Sequence, residues 1–404
     1  MHRKTMSSDC TVRAAADRHA VGTSYLPALR LAPLGIAAAL ILSACTTVGP
    51  DYVTPDAPVA SDWQSTEFES DAAVSSAADE TGYSAWWTAF NDPVLDELVT
   101  LARSQNLSLQ VAGLRVLEAR AELGIAVGNL YPQSQSARGG VTQFELSDNQ
   151  ANFAPGLLDT SYREADLGFD VGWELDFWGR FRRAIEAADA SLLSEVAAYE
   201  DVLVTLAADV ATTYVLVRTF EERLRLAQSN VDIQARSLQI AEVRFRNGLT
   251  TELDVQQARS LLANTQAALP SLELGLRQTQ HALSVLLGMP PSDLASTLTQ
   301  GPMAIPAAPT QLALGMPADL LRRRPDIRQA ERLAAAQSAA IGLTKADLYP
   351  AFSLTGSVGL RAGDTFGGSL SDLFDSDSLE ASFGPSFSWN ILNYGRIKNA
   401  VRAE

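Results

Sequence analysis

Between Ala165 and Arg183 the chain reads ADLGFDVGWELDFWGRFRR, and for twelve residues its sides alternate without a break. Leu167, Phe169, Val171, Trp173, Leu175 and Phe177 are apolar, while Asp166, Gly168, Asp170, Gly172, Glu174 and Asp176 are small or charged. Successive side chains of a strand point to opposite faces, so this is a strand with one oily face and one wet face. After Trp178-Gly179-Arg180 the period becomes helical, and no Pro or Gly interrupts it from Arg180 to Asn247. At 1.5 Å per residue that helix reaches roughly 100 Å. A strand feeding a rod of this length cannot belong to a compact globule.

The corner recurs. Phe383 to Lys398 reads FGPSFSWNILNYGRIK, with Phe383, Phe387, Trp389 and Ile391 on one side and Gly384, Ser386, Ser388 and Asn390 on the other. Trp173 matches Trp389, and Gly179-Arg180 matches Gly395-Arg396, each 216 residues apart. Leu130-Tyr131-Pro132 and Leu348-Tyr349-Pro350 match at 218 residues. Several copied marks at nearly one offset show a duplicated unit, helix, strand, loop, strand, helix.

The apolar run Leu31 to Leu42 follows Arg30 and is too short to span a bilayer as a stop-transfer helix, so it reads as a signal-peptide core. Leu42-Ser43-Ala44-Cys45 has the form of the bacterial lipobox, in which the cysteine is lipidated and becomes the new N-terminus; the alternative is an ordinary signal peptide with a chance cysteine. Thr46 after the cysteine implies sorting to the outer membrane. Removal of residues 1–44 takes away Cys10, His2 and His19 and leaves Cys45 and His281, so no disulfide, histidine triad or His-based metal site can be assembled. The 31 Lys and Arg against 47 Asp and Glu give a formal net charge of −16, which argues against nucleic acid as a partner. No GxGxxG, Walker A, HExxH or CxxC pattern is present, so an enzyme is not expected and no cofactor beyond a covalent lipid on Cys45 is called for.

In chain order the expected divisions are a lipoprotein signal peptide (1–44), a loosely held lipidated tether (45–85), a first repeat (86–290), a Pro-rich linker (291–316) and a second repeat (317–404). The first repeat opens with a helix from Pro93 to about Leu130, with Asp92 as N-cap. Strands near 133–146 and 165–178 follow, then a helical hairpin over 180–288 whose tip is Asn247-Gly248-Leu249-Thr250, with Pro270 a candidate kink. The second repeat has a helix from Pro317 to Leu348 and strands near 351–361 and 381–393. By the logic of the repeat, roughly 70 to 110 residues of a second hairpin should follow Glu404. Arg322-Arg323-Arg324-Pro325-Asp326 reads as a capping and ion-pair cluster, with anion binding the alternative.

Four strands with one apolar face cannot stand in lipid with both edges unpaired. Closure takes at least about eight strands, so several copies must share one barrel, and three copies give twelve. With the apolar face toward lipid, Asp166, Asp170, Glu174 and Asp176 face the lumen, whose wall is then acidic and wet. A soluble β-sandwich also alternates, and a periplasmic lipoprotein scaffold with a coiled-coil hairpin is the reading from another class.

These marks, in this order, resemble the outer-membrane efflux factors, the TolC-like lipoprotein channels of tripartite RND-type multidrug pumps. The resemblance runs from Leu42 to Glu404. It rests on the lipobox at Cys45, Trp86-Trp87 with Phe90 and Asp92-Pro93, Arg244 to Leu249, Leu253-Asp254-Val255, Arg323 to Ile327 with Ala330-Glu331, Tyr349-Pro350 and the two Gly-Arg corners. It implies an α+β membrane protein: a homotrimer sharing a twelve-stranded transmembrane β-barrel above a long periplasmic α-helical barrel. It also implies a periplasmic adaptor docked at the hairpin tip, an inner-membrane transporter beneath, and passive conduction of small molecules. A type I protein-secretion duct is the alternative within the resemblance. The residues that narrow the periplasmic aperture are implied to lie beyond Glu404.

Overall fold

A computed structural model describes residues 46–56, 85–147, 159–291, 294–301, 303–307, 321–365 and 367–404. The signal peptide, Cys45, most of the tether and the start expected for the second helix at Pro317 lie outside the described residues.

Apolar periodicity predicts one helix from Pro93 to about Leu130, but there are two, α1 (Pro93–Gln105) and α2 (Leu107–Gly128). Asp92 caps α1, accepting from the backbone N–H groups of Val94 and Leu95. The break falls at Asn106, whose side chain accepts from Leu109 N–H and donates to the carbonyl of Leu286. The hairpin is α3 (Arg180–Arg246), a single helix of 67 residues, and α4 (Glu252–Leu286), which runs on through Pro270. In the second repeat α5 spans Pro325–Ala346 and α6 spans Arg396–Ala403. Arg324 pairs with Asp326 at 2.6 Å at the head of α5, so the cluster forms the expected ion pair, but no side-chain hydrogen bond from the N-cap Arg324 caps the helix.

The strands are β1 (Ser134–Glu145), β2 (Ser161–Leu175), β3 (Ala351–Gly363) and β4 (Leu379–Ser388), antiparallel neighbours in the order β1-β2-β3-β4. Two of them end earlier than their alternation suggests. Leu175 pairs with Phe352 and Ser388 with Ala351, and there β3 runs out against Pro350, which has no N–H to donate. Asp176 and Phe177, and Trp389 to Asn393, therefore keep an alternating pattern without being strand. In the other direction β2 begins at Ser161, where Tyr162 stacks on Phe144 at 4.9 Å.

The core lies among the helices. Val94, Leu95, Leu98, Val99 and Ala102 line one face of α1 and close on Leu206, Val210, Tyr214 and Val217 of α3 and on Leu283 and Leu287 at the end of α4. Leu294 and Leu298, within the stretch expected to be a Pro-rich linker, contribute to it. A helical turn at Ala295–Leu298 buries Leu298, and Leu294 beside it is also in the core. Burying each such leucine stabilises the fold by about 1.5–3 kcal/mol.

The first described part of the tether is not loosely held either. Val48 N–H donates to the carbonyl of Trp178, and the buried Arg183 of α3 reaches the carbonyl of Val48 and pairs with Asp51 at 2.7 Å. Thr54 donates to Glu331 of α5 at 2.9 Å. Residues 47–54 thus form a strap joining a helix of each repeat.

Candidate functional site

The pairing register sorts the sheet into two faces. Leu167, Phe169, Val171 and Trp173 of β2 share one face with Leu360, Val358, Gly356 and Leu354 of β3, and with Ala381, Phe383 and Pro385 of β4. Asp166, Asp170 and Glu174 lie on the other, beside Arg138 of β1, Arg361 of β3 and Glu380 of β4. The polar face is therefore mixed, a correction to the acidic wall expected from β2 alone. Arg138 pairs with Asp166 at 3.6 Å, with Asp170, and with Glu380 at 3.9 Å. Arg361 pairs with Glu164 at 3.7 Å and Glu380 at 3.2 Å.

Asp176 does not join this face. It lies past the end of β2 and accepts from the backbone N–H groups of Phe181 and Arg182, and from the Arg182 guanidinium at 2.9 Å. A carboxylate there satisfies N–H groups that the first turn of α3 leaves open.

The two strand-to-helix corners share one backbone geometry. Gly179 (φ 77°) and Gly395 (φ 82°) both occupy the left-handed region just before α3 and α6, where a side chain would be strained. Arg180 pairs with Glu174 at 3.4 Å and with Asp347, at the end of α5, at 3.7 Å, so it ties β2 to the second repeat. Arg396 is exposed. Trp178 stacks on Tyr349 at 4.7 Å and donates to the Pro350 carbonyl, so the Tyr-Pro mark of one repeat packs on the Gly-Arg mark of the other.

At the far end of the hairpin the chain reverses within five residues, Asn247 to Thr251. Gly248 has φ 72°, and Leu249 is 75% exposed. Thr251 and Asp254 form a reciprocal capping box at the start of α4. Hydrogen bonds from Thr250 and Thr251 favour the charged form of Asp254 and push its pKa down to about 2.

One polar cluster had no signal in the sequence beyond the cap at Asp92. The Tyr214 hydroxyl donates to Asp92 at 2.7 Å; Arg218 Nε donates to the Tyr214 oxygen at 3.1 Å and its Nη2 to the Leu298 carbonyl at 2.5 Å. All three side chains are buried, and burial pushes the Tyr214 hydroxyl up to about 12. Tyr214 and Arg218 lie one helical turn apart, but their partners come from other elements. Among the described residues no group of three or more His, Cys, Asp or Glu is placed to hold a metal.

The family described as outer membrane efflux protein matches residues 98–289 and 316–404, which takes in both repeats. Nodulation protein T of Rhizobium leguminosarum bv. trifolii is 32% identical over 367 residues, 90% of this chain and 73% of that protein. The solvent efflux pump outer membrane protein SrpC of Pseudomonas putida is 32% identical over 375 residues, 92% of this chain and 76% of that one. Among solved structures, the outer-membrane channel OprN superposes with a TM-score of 0.76 at 35% identity, covering 88% of this chain and 76% of that one. Matched over most of its length, strand-to-helix corners included, this chain belongs to the outer membrane efflux protein family.

Proposed function

We propose that three copies of the chain close a twelve-stranded barrel in the outer membrane, apolar face to lipid and polar face to a water-filled lumen. In this reading the long helices continue the duct into the periplasm, and Asn247 to Thr250 present the exposed Leu249 to a periplasmic adaptor coupled to an inner-membrane transporter. Conduction is passive, without covalent chemistry or a bound cofactor, and a lipid on Cys45 adds a second hold on the membrane. The solutes are small molecules delivered by the pump. The observation that carries this is the sheet. Among the described residues it has one apolar face and two unpaired edges, and lipid tolerates such a sheet only when the edges are closed. Deleting the adaptor and transporter while leaving the channel in place should abolish export; retained export would contradict the reading.

A further inference from the structure

One register row crosses all four strands. Arg138 pairs with Gly168, Gly168 with Gly359, and Gly359 with Glu380. The two central positions carry no side chain, so no side chain of this row separates the Arg from the Glu, which Arg361 also reaches at 3.2 Å. Arg138 lies flat along this row, and a Cβ on Gly168 would come within 3.6 Å of its Cζ. From there one guanidinium reaches Asp166 and Asp170 on β2 and Glu380 on β4. The ion pairs of Asp166 and Asp170 are both made to Arg138.

Stability is a weak reason for this arrangement. The side chains are 27–45% exposed, and ion pairs that water screens this well contribute little to folding. Local potential is a stronger one, because charge on a low-dielectric wall is felt in the water that it faces. We infer that Arg138 is a specificity-determining residue for conduction: lying across the Gly168–Gly359 row, it offsets the carboxylates of the wall and keeps the lumen passable to anionic solutes. This rests on the lumenal reading of the polar face.

The test uses the full-length protein in outer-membrane vesicles with Ser382→Cys, on the polar face in the Asp170 row, measured against the same protein without that substitution. Rates of thiol modification by a cationic and an anionic methanethiosulfonate give a ratio that reads the potential at that row. Arg138→Gln should raise the cation-to-anion ratio roughly three- to tenfold, the scale of one unit charge removed within several ångströms in water. Arg138→Lys should hold the ratio within about twofold, and Glu380→Gln, which keeps Arg138, should lower it. A ratio unmoved by Arg138→Gln, or by Glu380→Gln if the first variant fails to assemble, overturns the inference while leaving the lumen in place. If the thiol introduced by Ser382→Cys reacts with neither reagent until the protein is denatured, the lumenal reading itself is sunk.

Discussion

Trp173 donates its indole N–H to the main-chain carbonyl of Leu130 across 3.1 Å, where β2 ends beside the start of β1. The second repeat makes the same bond, from Trp389 to Leu348 at 3.0 Å. In each copy a tryptophan at the foot of the later strand holds the Leu-Tyr-Pro turn that launches the earlier one. Trp389 sits past the end of β4, so the bond outlasts the pairing. Trp173→Phe keeps most of the ring and removes the donor, which should cost about 1 kcal/mol. Trp389 is 53% exposed in the single chain, so Trp389→Phe should cost less. Thermal scans of the two variants in one detergent give the order.

The buried cluster of Asp92, Tyr214 and Arg218 pins the head of α1 to the middle of α3 and, through Leu298, to the segment between the repeats. Tyr214→Phe leaves a buried carboxylate oxygen and a guanidinium N–H each short of a partner, and should cost about 1–3 kcal/mol. Its pH dependence has a definite sign. The folded pKa is pushed up to about 12 from an ordinary 10.0, so this contribution is whole below pH 10 and is lost as pH climbs toward 12. Denaturant midpoints compared between pH 9 and 12 should fall more steeply in the parent than in Tyr214→Phe.

Asp254 carries the opposite dependence at the hairpin tip. Its pKa is depressed to about 2 from 3.8, so its support of the first turn of α4 is present above pH 4 and lost as pH falls through 2. Asp254→Asn should loosen that turn at neutral pH. Hydrogen exchange of the amides from Glu252 to Val255 should quicken while α1 is unchanged.

Gly342 separates helix propensity from packing. It lies inside α5, where alanine is favoured over glycine by about 1 kcal/mol. A Cβ there, however, would sit 2.7 Å from the Val48 carbonyl and 2.8 Å from Arg183 Cγ, both part of the strap contact. Gly342→Ala should therefore displace residues 47–54, destabilise the protein despite its better propensity, and speed proteolysis within the strap.

β2, β3, β4, the corners and the hairpin tip were legible because their signals are local: period two, a glycine where φ must be positive, a cap followed by a helical run; β1 alternates too noisily to be read alone and shows only as the copy of β3. What the sequence left hidden depends on partners far along the chain. The break at Asn106 falls inside an unbroken apolar pattern, and its reason is the end of α4, where Asn106 bonds Leu286, 180 positions away. A Cβ on Gly288 would lie 2.2 Å from the Gln105 carbonyl, so that glycine docks the hairpin's end on the break. The same holds for Arg138, which no strand pattern could tie to Glu380 before the register was known. Asp176 kept the rhythm of β2 while its carboxylate was already committed to α3.

The protein is an outer-membrane channel component of an efflux system that extends into the periplasm, and its sheet should be closed by other copies of itself. Outer-membrane fractions solubilised in mild detergent and run unheated in SDS should give a band at three times the monomer mass. That band should collapse to the monomer on boiling. A monomer or dimer released from the membrane without detergent would contradict the account, because the apolar face and the open edges of β1 and β4 would then have to be satisfied in water.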